Sequence, residues 1–279
     1  MTVEPYGWPL RPFARAHPVR GYFNDPRISG RSRAFHFGID IAARNGQAVY
    51  AVAAGIAHLE GRRSLSVVCP DGRSFGYWHV IPAVGHRTAV RRHQLVGHVE
   101  EPWAHVHFAE SRGGVYRDPL RPGALTPWAD TTSPRIARVA FARGRTELRP
   151  DRISGAVDVR CEAYDVPPLA VPAPWNDLPV TPAKLRWRVV RPDGRVARPW
   201  RTPVDLTRRL LPRELFDAVY APGTRQNRAG RPGRYVFYLA HTWTTALLPD
   251  GPYRLEAEAL DERGNSARVR LPFTLVNRL

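Results

Sequence analysis

Proline and glycine interrupt this 279-residue chain at short intervals, with 28 prolines and 22 glycines. Both residues break regular secondary structure, so only short elements fit between them. The intervening segments alternate apolar and polar side chains with a period of two, which is typical of half-buried β-strands. A helical period is rare, and the clearest example is PRELFDAVY at 212–220. The pattern therefore predicts an all-β protein.

The composition narrows the class of protein. Hydrophobic residues make up 43% of the chain and charged residues 24%, which is enough apolar side chain for a folded core and argues against disorder. Arg, Glu or Pro breaks each apolar run within about ten residues, so we expect no transmembrane segment. The start, MTVEPYGWPLRPFARAHP, lacks the basic and apolar regions of a signal peptide. No export signal is therefore visible in this sequence.

The net charge of +17 comes almost entirely from arginine, because Lys184 is the single lysine. One interpretation is the compositional bias of a GC-rich genome. The other is attraction to a polyanion, either nucleic acid or an anionic polymer of the cell envelope. No run alternates basic and aromatic residues as a nucleic-acid channel does. We therefore expect no nucleic-acid partner and keep anionic envelope polymers as the partner that the charge favours.

The histidines divide the chain into two halves. Nine of the ten precede the segment LTPWADTTSP at 125–134, and only His241 follows it. We therefore predict two domains, at 1–128 and 129–279, of which the first carries the chemistry.

The second half contains six segments that alternate as strands do, and it predicts an immunoglobulin-like β-sandwich. A proline-rich stretch at 166–182 is expected to be a long loop, and a helical insertion is expected near 204–232. No ligand spacing occurs in this half. It is therefore either a binding or spacing module or a structural support for the first half.

Two segments of the first half project polar residues from one face of a strand. In FHFGIDIA, a period of two puts His36 and Asp40 on the same face, with phenylalanine and isoleucine opposite. In AHVHFAE, His105 and His107 share a face in the same way. A third segment, FGYWHV, places His79 at the end of another strand.

These residues match the needs of a catalytic zinc ion. Such a site takes three protein ligands from His and carboxylate and leaves one position open. His36, Asp40 and one histidine of the 105/107 pair supply that set. The remaining histidine would lie near the metal, where it can carry protons. The periodicity does not decide which of the two is the ligand.

The same segments resemble a known family, the lysostaphin-type (LytM-like) zinc metallopeptidases. HFGIDIAARNGQAVYAVAAGIAH is similar to their first metal motif, H-x-G-x-D followed by a glycine, V-x-A and a small-residue run ending in glycine. GYWHV is similar to Y-x-H-L, WAHVHFAE to H-L-H-F-E, and VYRDPLRPGAL to the D-P-L stretch that closes the domain. The match covers roughly residues 5–125 in the family's order.

The resemblance implies a small antiparallel β domain with Zn²⁺ in a groove. It implies that His36, Asp40 and His107 are the metal ligands and that His105 and His79 are the catalytic histidines. It further implies a zinc-dependent metalloendopeptidase that hydrolyses peptide bonds in the cross-bridges or stem peptides of bacterial peptidoglycan. Such an enzyme is expected in the cell envelope or outside the cell.

The loop before the last histidine motif departs from the pattern of the family. The family has a loop rich in Gly, Ser and Thr before H-L-H-F-E, whereas here Glu100–Trp103 brings bulkier residues, and we expect this loop to set the cleavage specificity.

Two alternative functions compete with the peptidase hypothesis. The first is a catalytically silent member of the same fold that binds cell wall or activates another hydrolase. The second is an arginine-rich nucleic-acid-binding protein.

Overall fold

Antiparallel β-strands make up nearly all regular structure of the computed structural model, which describes residues 5–277. The predicted all-β class is therefore confirmed. In chain order the strands are β1 (Val19–Gly21), β2 (Pro26–Ser29), β3 (Ser32–Phe35), β4 (Ile39–Ala42), β5 (Ala48–Tyr50), β6 (Gly55–Gly61), β7 (Ser64–Val68), β8 (Arg73–Trp78), β9 (Val80–Pro82), β10 (Thr88–Val90), β11 (Leu95–Val99), β12 (His105–Arg112), β13 (Val115–Arg117), β14 (Arg135–Arg143), β15 (Thr146–Leu148), β16 (Ala156–Tyr164), β17 (Lys184–Val190), β18 (Val196–Asp205), β19 (Val236–Thr244), β20 (Gly251–Leu260) and β21 (Ser266–Leu275). One α-helix, α1 (Phe216–Val219), follows a 3-10 turn at Arg213–Leu215, and a second 3-10 turn lies at Thr245–Leu247.

A sheet in the order β1-β4-β12-β8-β7-β6-β10 dominates the first half, with β13 beside β12. A smaller sheet, β5-β11-β9, and the hairpin β2-β3 complete it. Strand β12 lies between β4 and β8, so that His107 pairs with Asp40 on one side and with Trp78 on the other. The central strands thus bring the predicted site segments side by side.

The alternation read from the sequence decides which face of these strands is buried. Ile39 and Ile41 of β4 are fully buried beneath the sheet, as are Val106 and Phe108 of β12. The polar residues between them project from the opposite face. Gly38 precedes β4 at a point where a Cβ atom would lie 2.3 Å from the carbonyl oxygen of Phe108. Only glycine allows this close approach of the two chain segments.

The second half is a sandwich of two four-stranded antiparallel sheets, β15-β14-β16-β19 and β18-β17-β20-β21. The predicted β-sandwich is therefore present, and its immunoglobulin-like topology stays a prediction. The core between the sheets contains Phe141, Trp187, Phe237 and Leu255. All six strands expected from the sequence are present, and the proline-rich stretch is a loop. The expected helical insertion is short, since its one α-helix has four residues.

The two halves interpenetrate at their boundary. Phe35 of the first half packs in the sandwich core, where its ring lies 5.4 Å from that of Phe216 and 5.7 Å from that of Tyr220. Conversely, Val180 belongs to the core of the first half. The limits 1–128 and 129–279 remain a prediction. Among residues 5–277, no helix is long and apolar enough to cross a membrane.

Candidate metal centre

Three side chains on the polar face of β4 and β12, and just before β4, converge on one point. His36 Nε2 lies 2.7 Å from His107 Nδ1, and Asp40 Oδ1 lies 3.2 Å from each of these nitrogens. In a tetrahedral zinc site with metal–ligand distances of ~2.0–2.1 Å, neighbouring ligand atoms are ~3.3 Å apart. The two distances to Asp40 match this spacing, whereas the two nitrogens lie closer together than they would around a bound ion.

The hydrogen bonds of His36 favour a metal ligand. Its Nδ1 lies 2.8 Å from the carbonyl oxygen of Tyr22, so Nδ1–H donates to that oxygen and the lone pair of Nε2 faces the cluster. Burial, followed by the positive charge of Arg27, lowers the pKa of His36 to about 3. Burial also lowers the pKa of His107. Both imidazoles are therefore neutral at pH 7, as metal binding requires.

Asp40 supplies the negative charge. Burial raises its pKa, but His36, Arg27 and His105 outweigh this effect and hold the pKa well below the usual range. Arg27 donates from Nη2 to Asp40 Oδ2 at 2.7 Å, which leaves Oδ1 for the cluster. A Cβ at Gly21 would lie 2.6 Å from the same Oδ2, so glycine makes room for this carboxylate. Two neutral nitrogens and one anionic oxygen form a donor set suited to Zn²⁺.

His105 lies beside this donor set without being one of its three members. Its Nε2 is 3.4 Å from Asp40 Oδ1. Its Nδ1 lies between a donor, Arg20 Nη2 at 2.6 Å, and an acceptor, the Trp103 carbonyl at 2.7 Å. In the tautomer protonated at Nδ1, that N–H donates to the Trp103 carbonyl and Nε2 is free to accept a proton. In the tautomer protonated at Nε2, Nδ1 accepts from Arg20. Each neutral tautomer of His105 therefore has a hydrogen-bond partner at Nδ1.

His79 completes the site from the other neighbour of β12. It lies between β8 and β9 with a φ of 61°, in the left-handed region that side chains seldom adopt. Its ring stacks on Trp103 at 3.9 Å and lies 4.6 Å from the ring of His105. Burial, followed by the charge of His105, lowers its pKa to about 4. Within the described chain its ring nitrogens make no hydrogen bond, so they are available to a ligand.

These side chains line one cavity of about 460 Å³, and both halves of the chain contribute to it. The Glu100–Trp103 loop borders it through Pro102 and Trp103. This loop is tied to the site because Glu100 donates its backbone N–H to the carbonyl of His79 at 2.8 Å. The opposite wall comes from the second half, with Pro174, Trp175, Gln226, Asn227, Ala229 and Tyr235.

The structure thus brings all five predicted site residues to one cavity, while their division into ligands and catalysts stays a prediction. The sequence interpretation missed the second-half wall. Trp175 lies in the proline-rich stretch and Asn227 in the insertion, where no periodicity or motif marks them. The other histidines of the described chain do not line the cavity.

Comparison with known proteins gives structural matches alone, since no family model matches and no curated protein is similar. The chain is similar to the catalytic domain of lysostaphin from Staphylococcus simulans, with 21% identity and a TM-score of 0.33 over 37% of this chain and 90% of that one. It is similar to the catalytic domain of a mutant of the prophage-encoded M23 protein EnpA from Enterococcus faecalis, with 24% identity and a TM-score of 0.30 over 40% and 88%.

A further match is a chain in the structure of the SpoIIQ–SpoIIIAH pore-forming complex, with 20% identity and a TM-score of 0.37 over 43% of this chain and 90% of that one. The solved structures similar to this chain thus include lysostaphin-type and M23 peptidases, over about 40% of its length. The sequence motifs around His36, His79 and His107 indicate a resemblance to the same family. The identities are below 25% and the TM-scores below 0.5, so the case for a function rests on the site itself.

Proposed function

We propose that the protein is a zinc metalloendopeptidase that hydrolyses peptide bonds in bacterial peptidoglycan. The observation that carries this proposal is the convergence of His36 Nε2, His107 Nδ1 and Asp40 Oδ1 at 2.7–3.2 Å beside an open cavity. When bound, Zn²⁺ supplies a Lewis acid for the scissile carbonyl and makes water acidic enough to lose a proton near pH 7. His36, Asp40 and His107 hold the ion.

His105 carries the proton. In the form whose Nδ1–H donates to the Trp103 carbonyl, its Nε2 accepts a proton on the side that faces Asp40. The nearby carboxylate stabilises the imidazolium, which then delivers the proton to the leaving amine. Arg20, 2.6 Å from Nδ1, donates to that nitrogen once the imidazole is neutral with its proton on Nε2.

His79 binds the developing negative charge on the substrate oxygen. Its pKa of about 4 keeps the ring neutral at pH 7, so that it donates an N–H without itself being a cation. Stacking on Trp103 fixes the orientation of the ring, which keeps the donor in place before the reaction.

The cavity favours a substrate with side chains and carboxylates over a bare glycine strand. Trp103, Trp175 and Tyr235 offer aromatic surface, and Arg20 and Arg27 offer positive charge. The net charge of +17 further favours anionic polymers of the cell envelope. We therefore place the protein at the cell envelope or outside the cell and favour stem-peptide links as its substrate.

The deciding experiment uses the full chain, stripped of metal and reloaded with zinc. Incubation with purified peptidoglycan should release fragments with new amino termini, which mass spectrometry identifies bond by bond. Asp40→Asn should abolish the release, and His98→Ala, an exposed histidine on β11, should not. Stoichiometric zinc with no cleavage on any peptidoglycan would favour the silent, wall-binding alternative instead.

A further inference from the structure

A second group of acidic side chains lies where the segment leaving the first half meets the sandwich. Asp130 belongs to that segment, Asp165 follows β16, and Asp261 begins the turn between β20 and β21. One carboxylate oxygen from each lies within 4.8 Å of the others. All three residues are buried, with exposed fractions of 9%, 1% and 5%. None of them lines the cavity of the metal centre.

The chain does not neutralise these carboxylates by ion pairs. Although it has 42 Lys and Arg residues, none within the described range 5–277 forms a salt bridge with Asp130, Asp165 or Asp261. The nearby guanidinium of Arg263 donates instead to the carbonyl of Trp128, at 3.3 and 3.1 Å. Three buried carboxylates so close together repel one another strongly unless a cation or protons compensate them.

Local hydrogen bonds hold all three carboxylates, and Asp130 and Asp165 each keep one oxygen without such a bond. Asp261 accepts on both oxygens, from the backbone N–H groups of Arg263 and Asn265 on Oδ1 and from the side-chain amide of Asn265 on Oδ2. Asp130 Oδ1 accepts from the backbone N–H and the hydroxyl of Thr132. Asp165 Oδ1 accepts from the backbone N–H of Val166. The second oxygens of Asp130 and Asp165 accept no hydrogen bond from residues 5–277. Rigidly held carboxylates with free oxygens are suited to cation binding.

An independent observation on Tyr22 also indicates a ligand. Tyr22 is 7% exposed, and its hydroxyl is buried without a hydrogen-bond partner in the described chain. After burial, the charges of Asp165 and Asp130 contribute most to raising the pKa of Tyr22, so its hydroxyl lies within the electrostatic field of the acidic group. Buried hydroxyls almost always have a partner. A hydrated ion among the carboxylates would bring water to that hydroxyl.

We propose that Asp130, Asp165 and Asp261 bind a calcium ion that joins the two halves of the protein. The donor atoms are all oxygen, which disfavours metal ions that prefer nitrogen or sulfur ligands. Calcium binds oxygen at ~2.3–2.6 Å, so oxygens on opposite sides of the ion are ~5 Å apart, in keeping with this spacing. Water fills the other positions. The ion stabilises the junction, and this role is independent of the proposed peptidase activity.

The test measures calcium binding and thermal unfolding on the full chain. After removal of calcium with a chelator, equilibrium dialysis should recover one Ca²⁺ per chain, and the unfolding temperature should rise with added Ca²⁺ more than with Mg²⁺. Asp165→Asn should lower the calcium affinity about tenfold or more, because it removes one of three charged ligands. In calcium-free buffer this variant should be at least as stable as the wild type, since it removes a group whose ionised form is unfavourable beside the other two carboxylates.

Two controls make the result specific. Asp151→Asn changes an exposed aspartate of the same half and should respond to calcium as the wild type does. Asp40→Asn changes the other metal centre and should also keep the calcium response, which separates this proposal from the peptidase proposal. If Asp165→Asn does not fold, Asp130→Asn is the test variant in its place. No bound calcium in the wild type, or an unchanged response in both aspartate variants, would overturn the proposal.

Discussion

The guanidinium of Arg20 lies 4.0 Å from the centre of the Trp175 ring, across the boundary between the two halves. The same guanidinium is 2.6 Å from Nδ1 of His105. A side chain of the sandwich therefore fixes the position of an arginine that contacts the proposed proton carrier. The second half is thus part of the cleft and more than a support beside it.

Trp175→Ala should weaken peptidoglycan hydrolysis without loss of zinc. A cation–π contact of this kind is worth ~0.5–2 kcal/mol, so kcat/KM should fall roughly 2- to 30-fold. Steady-state kinetics on a soluble peptidoglycan fragment measures the effect. The matched control is Trp200→Ala, because Trp200 also contacts arginines but lies on β18, outside the cavity. Equal losses in both variants would mean that Trp175 acts through general stability.

The two histidines of β12 should behave differently although only Val106 separates them. His107→Ala removes one of three protein donors and should lose much of the bound zinc. His105→Ala leaves the donor set whole, so it should keep near-stoichiometric zinc yet lose about 10²–10⁴-fold in activity, the usual contribution of a general acid–base. Metal analysis and kinetics on the purified variants give both readouts. Zinc lost from His105→Ala but kept by His107→Ala would reverse the assignment.

The stability of the metal-free protein should depend on pH through His36. Its pKa is about 3 in the folded chain, against about 6.5 for an unfolded histidine. Unfolding therefore takes up a proton between these values, and stability falls as the pH drops from about 6.5 towards 3, by at most about 1.4 kcal/mol per pH unit.

Urea unfolding of metal-free wild type and His36→Gln across this range measures the difference in slope. The comparison with the variant is needed because the buried Asp165, whose pKa is about 8, acts with the opposite sign in the same window. His98→Gln should leave the slope unchanged. Parallel curves for wild type and His36→Gln would contradict a neutral, buried His36.

The Glu100–Trp103 loop should disfavour pure glycine bridges. Trp103 narrows the cavity beside His79, and Pro102 lines the same wall. We expect faster cleavage of stem-peptide links than of pentaglycine, measured by liquid chromatography and mass spectrometry on defined peptides. Trp103→Gly should shift this ratio towards pentaglycine, whatever its effect on the overall rate. Efficient cleavage of pentaglycine by the wild type would refute the role given to the loop.

The local part of the site was predictable from the sequence. The period of two put His105 and His107 on one face, and both line the cavity while Val106 and Phe108 lie in the core. The same period treated FHFGIDIA as one strand, which is wrong, because residues 36–38 lie between β3 and β4 and Phe35 packs in the other core. The periodicity did not reveal that β4 pairs directly with β12, because strand pairing depends on contacts between residues far apart in the chain. The family resemblance supplied that link.

Local sequence patterns did not predict the remaining parts of the structure around the site. Strand β18 was missed because its sequence, VARPWRTPVD, contains two prolines, and proline is tolerated at the edge of a sheet, where β18 lies. Trp175 reaches the cavity from a loop, whose path depends on the packing of both halves. Asp130, Asp165 and Asp261 come from three separate segments, so no spacing in the sequence indicates that they meet.

The exchange of Phe35 and Val180 between the two cores has an evolutionary consequence. A domain can be moved between genes by recombination when its hydrophobic core contains only its own residues. Here each half fills a space in the other, so a transplanted first half would expose an aromatic ring and leave a hole in the sandwich it left behind. Natural variants of this protein should therefore keep both halves together and change them in concert, in contrast to enzymes whose accessory domains are shuffled freely.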